Sequence, residues 1–117
     1  MDITIDLKKP FIRPDGTAVS VKKKEEDKEK SVVTLAETLA NALTGAPANK
    51  DSRDFVVYAD DLYKKGTIIL KPSDYDKIWN YLESDEAARR GVTSLMCGRI
   101  QNEMSEKRDL QRKKDVE

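Results

Sequence analysis

The 117-residue chain contains no histidine and only one cysteine, Cys97. Without histidine, it lacks the side chain that most often acts as a general base and most often ligates metals. A lone cysteine cannot form a disulfide within the chain, and no histidine is present to activate it as a nucleophile. These absences exclude Cys–His catalysis and histidine-based metal sites, and they favour a non-catalytic protein with no cofactor and no bound metal.

Long apolar runs and an excess of charge of one sign are also missing. No stretch approaches the ~18 apolar residues that a membrane-spanning helix needs, and 22 basic side chains balance 22 acidic ones. Residues 1–6 have neither the basic start nor the apolar stretch of a secretory signal peptide. With no disulfide to form and no export signal, we expect a cytoplasmic protein that does not contact membranes.

The N-terminal residues have the pattern of a β-hairpin. Ile3, Ile5 and Leu7 alternate with polar residues, which predicts a strand with one apolar face. The turn residues Arg13-Pro14-Asp15-Gly16 follow, and residues 17–21 (TAVSV) could return as the second strand. A lone hairpin is marginal in water, so this pair must pack on the rest of the chain. Residues 67–70 (TIIL) could add a third short strand.

The rest of the chain is mainly helical in its apolar periodicity. Helices are predicted at roughly 34–44, with Thr34 as its cap, at 52–65, from Lys71-Pro72 onward, and from Thr93 onward. Residues 84–91 are predicted to be either a short helical turn or a loop. The predicted fold is therefore a small α+β domain, in which an N-terminal β-hairpin, with or without a third strand, packs on three or four α-helices.

Residues 1–104 are predicted to form one domain. Nine consecutive charged residues at 22–30 (KKKEEDKEK) bury nothing, so we expect a mobile loop there. Residues 105–117 are expected to form a charged C-terminal tail or a solvated extension of the last helix. The apolar stripe of that helix (Leu95, Met96, Ile100 and Met104) is read as intramolecular core, with a dimer seam as the alternative.

Two small residues of the last helix also need an interpretation. Gly98 costs ~1 kcal/mol relative to alanine inside a helix, and the close approach of another helix would explain it. Cys97, at the margin of the apolar stripe, is interpreted as a small buried hydrophobe.

The string Tyr58-Ala59-Asp60-Asp61 resembles the catalytic motif of reverse transcriptases, where paired aspartates bind divalent metal ions. In those enzymes the aspartates lie on a tight β-hairpin. Here the string lies within a helical pattern, where consecutive side chains point ~100° apart. We therefore expect Asp60 and Asp61 to face separate patches of solvent and to form no metal site.

Residues 87–117 carry eight basic and five acidic side chains, so the C-terminal third is mildly basic. The basic 89–114 segment could serve a nucleic-acid-binding regulator, although its interleaved carboxylates weaken a phosphate-binding face. A protein partner is the preferred prediction. Its predicted contact residues are Tyr81, which lies off the apolar face of its helix, together with Arg89, Arg90 and Arg99.

The order of these pieces resembles a group of small, mostly uncharacterised proteins of tailed-phage and prophage genomes. The strand-turn at 5–16 leads to the helix at 33–43 (VTLAETLANAL), then to the segment 58–64 (YADDLYK) and to 68–74 (IILKPSD). The resemblance implies no enzyme activity and supplies no functional residues. The leading prediction is a non-catalytic bacteriophage accessory protein in the host-cell cytoplasm that binds a phage or host protein, as an assembly factor or an inhibitor. It is motivated by the lack of catalytic residues and by the two charged segments, 22–30 and 105–117, that flank a compact middle.

Overall fold

A computed structural model describes residues 2–21, 31–46, 48 and 50–116, and at residues 21, 31 and 114–116 it describes the backbone only. The fold is a small α+β domain, as predicted. The charged run at 22–30 lies outside the described residues. In chain order, the elements are β1 (Ile3–Asp6), β2 (Ser20–Val21), β3 (Ser31–Val32), α1 (Leu35–Thr44), α2 (Ser52–Lys65), β4 (Thr67–Leu70), α3 (Pro72–Leu82), α4 (Asp85–Arg89) and α5 (Ser94–Val116).

The first strand, β1, pairs antiparallel with β4, with Ile3 opposite Leu70 and Ile5 opposite Ile68. These four apolar side chains are buried on one face of the two-stranded sheet. Residues 67–70 are therefore the predicted third strand and the partner of β1. The N-terminal hairpin is present around the turn, but its first strand is formed by residues 11–13, which pair with residues 17–19. The partner of β1 is distant in sequence because the buried residues of β4 extend the apolar face of β1, and the core covers both.

The predicted turn at residues 13–16 is confirmed. Gly16 has φ +89° and donates its N–H to the Arg13 carbonyl at 2.9 Å, and Ile12 bridges to Ala18. Beyond this turn, the chain pairs a second time, because β2 and β3 run antiparallel. The three segments close on one another: Phe11 N–H donates to Val33 O, Val33 N–H to Val19 O, and Val19 N–H to Phe11 O, each at 2.8 Å.

Local signals in the sequence fix the start of α1 and the end of α2. The Thr34 hydroxyl accepts a hydrogen bond from Glu37 N–H at 3.2 Å, which satisfies one free donor at the start of α1. Gly66 ends α2 in the left-handed conformation, with φ +70°. A Cβ at Gly66 would also overlap the Lys8 side chain, so the turn from α2 into β4 requires glycine.

One core joins all five helices to the β1–β4 sheet. On α5, Met96, Ile100 and Met104 are buried within the single chain, so the intramolecular interpretation is confirmed for these three residues. Leu95, the fourth residue of the predicted stripe, is only partly buried and lies outside the core cluster. The explanation offered for Gly98 is wrong, because a Cβ there would meet nothing within 4 Å. The remaining buried apolar side chains are Ile3, Ile5, Leu7, Leu35, Ala36, Leu39, Ala40, Leu43, Phe55, Tyr58, Ala59, Leu62, Ile68, Leu70, Tyr75, Ile78, Tyr81, Leu82 and Ala87.

The helix α5 also carries a buried carboxylate, Glu103, that is paired with the exposed Lys9. Glu103 is only 8% exposed, and Lys9 donates to both of its carboxylate oxygens, at 3.0 and 3.1 Å. The Glu103 carboxylate, chiefly through this hydrogen bond, raises the pKa of Lys9. The pair ties the segment after β1 to α5. None of the helices in the described part of the chain combines the length and apolar character that crossing a bilayer requires.

Candidate binding site

A cavity of about 290 Å³ opens between the start of α3 and the C-terminal half of α5. Ile3, the first residue of β1, forms part of its wall. The lining side chains are Ile3, Pro72, Tyr75, Asp76, Arg108, Gln111 and Arg112. Because α5 continues unbroken past Met104 to Val116, residues 108–112 lie beside α3 and complete this cavity.

The Arg108 side chain lies over the aromatic side chains of α3. Its guanidinium carbon is 5.4 Å from the centre of the Tyr75 ring and 5.8 Å from that of Trp79. The two rings are stacked, with centroids 5.8 Å apart and planes 14° from parallel. These cation–π contacts hold the guanidinium at the cavity wall and limit its rotamer freedom.

Two buried donors of this cavity have no protein partner within hydrogen-bond distance: the Tyr75 hydroxyl and Nε of Arg108. Tyr75 is 2% exposed. The Asp109 carboxylate oxygen lies 3.9 Å from Arg108 Nε, too far for a hydrogen bond. A buried donor without an acceptor costs about 1–3 kcal/mol. Among the described residues, no other buried side-chain nitrogen or oxygen is left in this state.

The charges around the cavity favour an anion. Arg112 follows Arg108 by four residues, so the two guanidinium groups lie on the same face of α5. Asp76, on α3, is the one carboxylate among the lining side chains. Burial raises the pKa of the Tyr75 phenol, against a smaller lowering by Arg108. The phenol therefore stays protonated at neutral pH and can donate to an anion.

The tyrosine of the Tyr-Ala-Asp-Asp string contrasts with Tyr75. Tyr58 is buried on α2, and its hydroxyl donates to the Asp74 carboxylate at 2.6 Å. Burial, and then this hydrogen bond, raises the pKa of Tyr58 well above its usual range. Asp74 also accepts from Lys71 N–H at 3.3 Å, so the contact caps α3. Tyr58 therefore has a structural role.

Asp60 and Asp61 lie on α2, as predicted, and not on a hairpin. In the described residues, no group of three or more cysteine, aspartate or glutamate side chains is placed to hold a metal ion. Lys64 and Lys65 follow Asp60 and Asp61 by four residues, a spacing that would allow ion pairs, but neither pair is among the salt bridges of the described residues. Asp60 is exposed and Asp61 is partly exposed. As neighbours on a helix, the two carboxylates point in different directions, ~100° apart.

The prediction that Tyr81 faces outward is wrong. Tyr81 is 9% exposed, its hydroxyl donates to the Ala42 carbonyl at 3.1 Å, and its ring lies 5.3 Å from that of Phe55. The physical reason is that α3 is covered on two sides, by α1 and α2 as well as by α5. Its buried arc is therefore wider than the stripe that the sequence showed.

The three predicted contact arginines make different contacts. Arg89 is exposed on α4, and Arg90 just after it lies 3.4 Å from the Glu86 carboxylate. Arg90 is also near enough to Tyr81 to oppose the rise in the pKa of its phenol that burial causes. Arg99 Nε donates to the Ile12 carbonyl at 3.0 Å, on the N-terminal turn.

Cys97 packs against the core, as interpreted. Its thiol lies 3.5 Å from the Leu82 carbonyl. Burial, and then the Glu83 carboxylate, raises the pKa of the Cys97 thiol. A raised pKa disfavours the thiolate, which is the nucleophilic form.

The sequence does not indicate this cavity. Tyr75 falls in the helix predicted from Lys71-Pro72 onward, and Arg108 and Arg112 fall in the basic 89–114 segment. The one available signal was the four-residue spacing of the two arginines. Nothing in the sequence pairs position 75 with position 108, because that contact depends on how α3 packs on α5.

Comparison with known proteins adds no relative to this picture. No family model matches the chain, and neither a curated protein nor a solved structure is significantly similar to it.

Proposed function

We propose that this protein acts by binding another protein, without catalysing a reaction on it, and that the partner enters the cavity between α3 and α5. The observation that carries the proposal is the pair of buried donors, Tyr75 OH and Arg108 Nε, that lack a protein acceptor in one cavity. Leaving both donors unpaired costs stability, and an acceptor supplied by a partner would recover that cost.

The available groups suit binding better than catalysis. An arginine does not release its proton in proteins, and the pKa of the Tyr75 phenol is raised, so neither is suited to proton transfer at neutral pH. Both are strong donors, and an ordered arginine beside aromatic rings is typical of the residues that dominate binding energy at protein interfaces.

The biological setting is also a proposal, and it rests on the sequence resemblance alone. In that setting the protein is an accessory protein of a tailed phage or prophage, located in the host-cell cytoplasm. Its partner is then a phage or host protein, bound for assembly or for inhibition.

The experiment is affinity capture from phage-infected cells with two matched variants of α5. Arg112→Ala removes an exposed charge that lines the cavity, and Lys113→Ala removes an exposed charge that does not. We expect the wild-type protein and Lys113→Ala to retain the same partner and Arg112→Ala to lose it. Capture that both variants retain equally would contradict the proposal.

Binding to nucleic acid through the basic 89–114 segment is the other outcome of this test. Phosphate binding sums over charges, so Arg112→Ala and Lys113→Ala would weaken it about equally and its affinity would fall steeply with salt. Titration with duplex and single-stranded DNA at low and physiological salt measures this directly. Equal losses of DNA affinity in the two variants, together with a steep dependence on salt, would indicate that the partner is a nucleic acid and not a protein.

A further inference from the structure

We infer that the cavity binds the C-terminal residue of the partner chain, with the terminal carboxylate held by Arg108, Arg112 and the Tyr75 hydroxyl. The inference rests on the proposed function, because it names the part of the partner that enters the cavity. Three features of the cavity carry it: its charge, its donor geometry and its apolar wall.

The net charge of the lining selects a monoanion. Arg108 and Arg112 contribute two positive charges and Asp76 one negative charge, so the lining side chains carry +1. A carboxylate carries one negative charge and balances this lining. A phosphate monoester carries a charge of about −1.5 to −2 at pH 7. That charge exceeds the +1 of the lining, and the excess would be repelled by the Asp76 carboxylate.

The donors match the two oxygens of a carboxylate. A guanidinium group presents a planar fork of N–H donors that fits a carboxylate through two parallel hydrogen bonds. Arg108 is already held over the Tyr75 and Trp79 rings, so little of its freedom remains to be lost on binding. The Tyr75 hydroxyl, on the opposite element α3, is a third, neutral donor. It has almost no accessible surface in the free protein, so the Tyr75 side chain has to shift for the hydroxyl to reach the carboxylate.

The apolar wall selects what the carboxylate is attached to. Ile3, Pro72 and the Tyr75 ring line the cavity beside the charged groups, which favours a ligand with an apolar body next to its anionic group. About 290 Å³ is at the small end of ligand sites, so the cavity suits one residue and not an extended segment. A chain end meets this limit, because the backbone has to leave on one side only.

The test uses the full-length ¹⁵N-labelled protein and four small probes, followed by amide chemical-shift changes on α3 and α5. N-acetyl-leucine carries a terminal carboxylate beside an apolar side chain, N-acetyl-leucinamide lacks the charge, and N-acetyl-glutamic acid α-amide carries only a side-chain carboxylate. Inorganic phosphate is the fourth probe. We expect N-acetyl-leucine to bind ~10-fold or more tightly than the other three, the worth of a hydrogen bond to a charged group.

Variants tie this preference to the cavity. Arg112→Ala and Tyr75→Phe are each expected to weaken N-acetyl-leucine ~10-fold, and Lys113→Ala is expected to leave it unchanged. Tyr75→Phe keeps the ring and removes only the hydroxyl, so the fold is retained. Equal binding of the acid and its amide, or equal binding of the side-chain carboxylate, would overturn the assignment of a chain end, and tighter binding of phosphate would overturn the monoanion.

Failure of this inference is distinguishable from failure of the proposed function. Partner capture that depends on Arg112, without any preference for N-acetyl-leucine over its amide, overturns the chain-end ligand and keeps the protein-binding function. The converse result is a clear preference for N-acetyl-leucine over its amide together with partner capture that does not depend on Arg112. It overturns the proposal that the ligand is the C-terminus of a partner and leaves a site for a free carboxylic acid.

Discussion

Two polar clusters lie on α5 within a few residues of each other, and they differ in how completely their hydrogen bonds are made. At Glu103, the buried carboxylate accepts two hydrogen bonds from Lys9. At Arg108, the buried Nε has no acceptor, and the Tyr75 hydroxyl beside it has none either. The first cluster is complete within the chain, so it serves the fold. The second is incomplete, and the same helix therefore carries a structural tie and a binding site.

Glu103 offers the strongest test of this difference between the two clusters. Glu103→Ala removes the acceptor of both Lys9 hydrogen bonds. We expect urea denaturation to show a lower free energy of unfolding, with N-acetyl-leucine binding unchanged. Asp60→Ala, which removes an exposed carboxylate of α2, is the control and should change stability by less than about 0.5 kcal/mol. A large loss of N-acetyl-leucine binding in Glu103→Ala would contradict this distinction, because the two clusters would then act as one site.

A smaller effect is expected at Gly98, which lies on α5 before both clusters. Since a Cβ there meets nothing within 4 Å, Gly98→Ala should raise the free energy of unfolding by about 0.5–1 kcal/mol through the higher helix propensity of alanine. Gly66→Ala is the control with the opposite sign, because φ is +70° there and Lys8 occupies the space of a Cβ. If Gly98→Ala instead lowered stability in thermal unfolding, the added methyl group would have to meet a close contact, which contradicts the open space at this position.

A loss of stability is also expected at alkaline pH. Burial raises the pKa values of Tyr58, Tyr75 and Tyr81 above 10.0, so the unfolded chain ionises first. Their contribution is complete below about pH 10 and falls as the pH rises further, because only the unfolded state then releases these protons. Urea midpoints measured from pH 7 to 11 should fall above pH 10, and less so in Tyr75→Phe. A midpoint that rises over this range would contradict the burial of these phenols.

Local signals in the sequence predicted most of the elements, and long-range packing decided the rest. The Thr34 cap, the Gly16 turn and the helix carrying Asp60 are all determined by neighbouring residues, so the sequence shows them. The pairing of β1 with β4 and the burial of Tyr81 depend on elements far away in the chain. The cavity depends on Arg108 reaching Tyr75 across two helices, and no spacing in the sequence encodes that contact.

The most direct test of the incomplete cluster is the stability of the free protein after Tyr75→Phe, measured beside Tyr58→Phe. Both phenols are buried, but only the Tyr58 hydroxyl has an acceptor, at 2.6 Å on Asp74. We predict that Tyr75→Phe raises the free energy of unfolding by about 1 kcal/mol or more, since it removes an unpaired buried donor, and that Tyr58→Phe lowers it by about 1.5–3 kcal/mol. A loss of stability in Tyr75→Phe would mean that its hydroxyl already serves the fold, and the cavity would then have no donor reserved for a ligand.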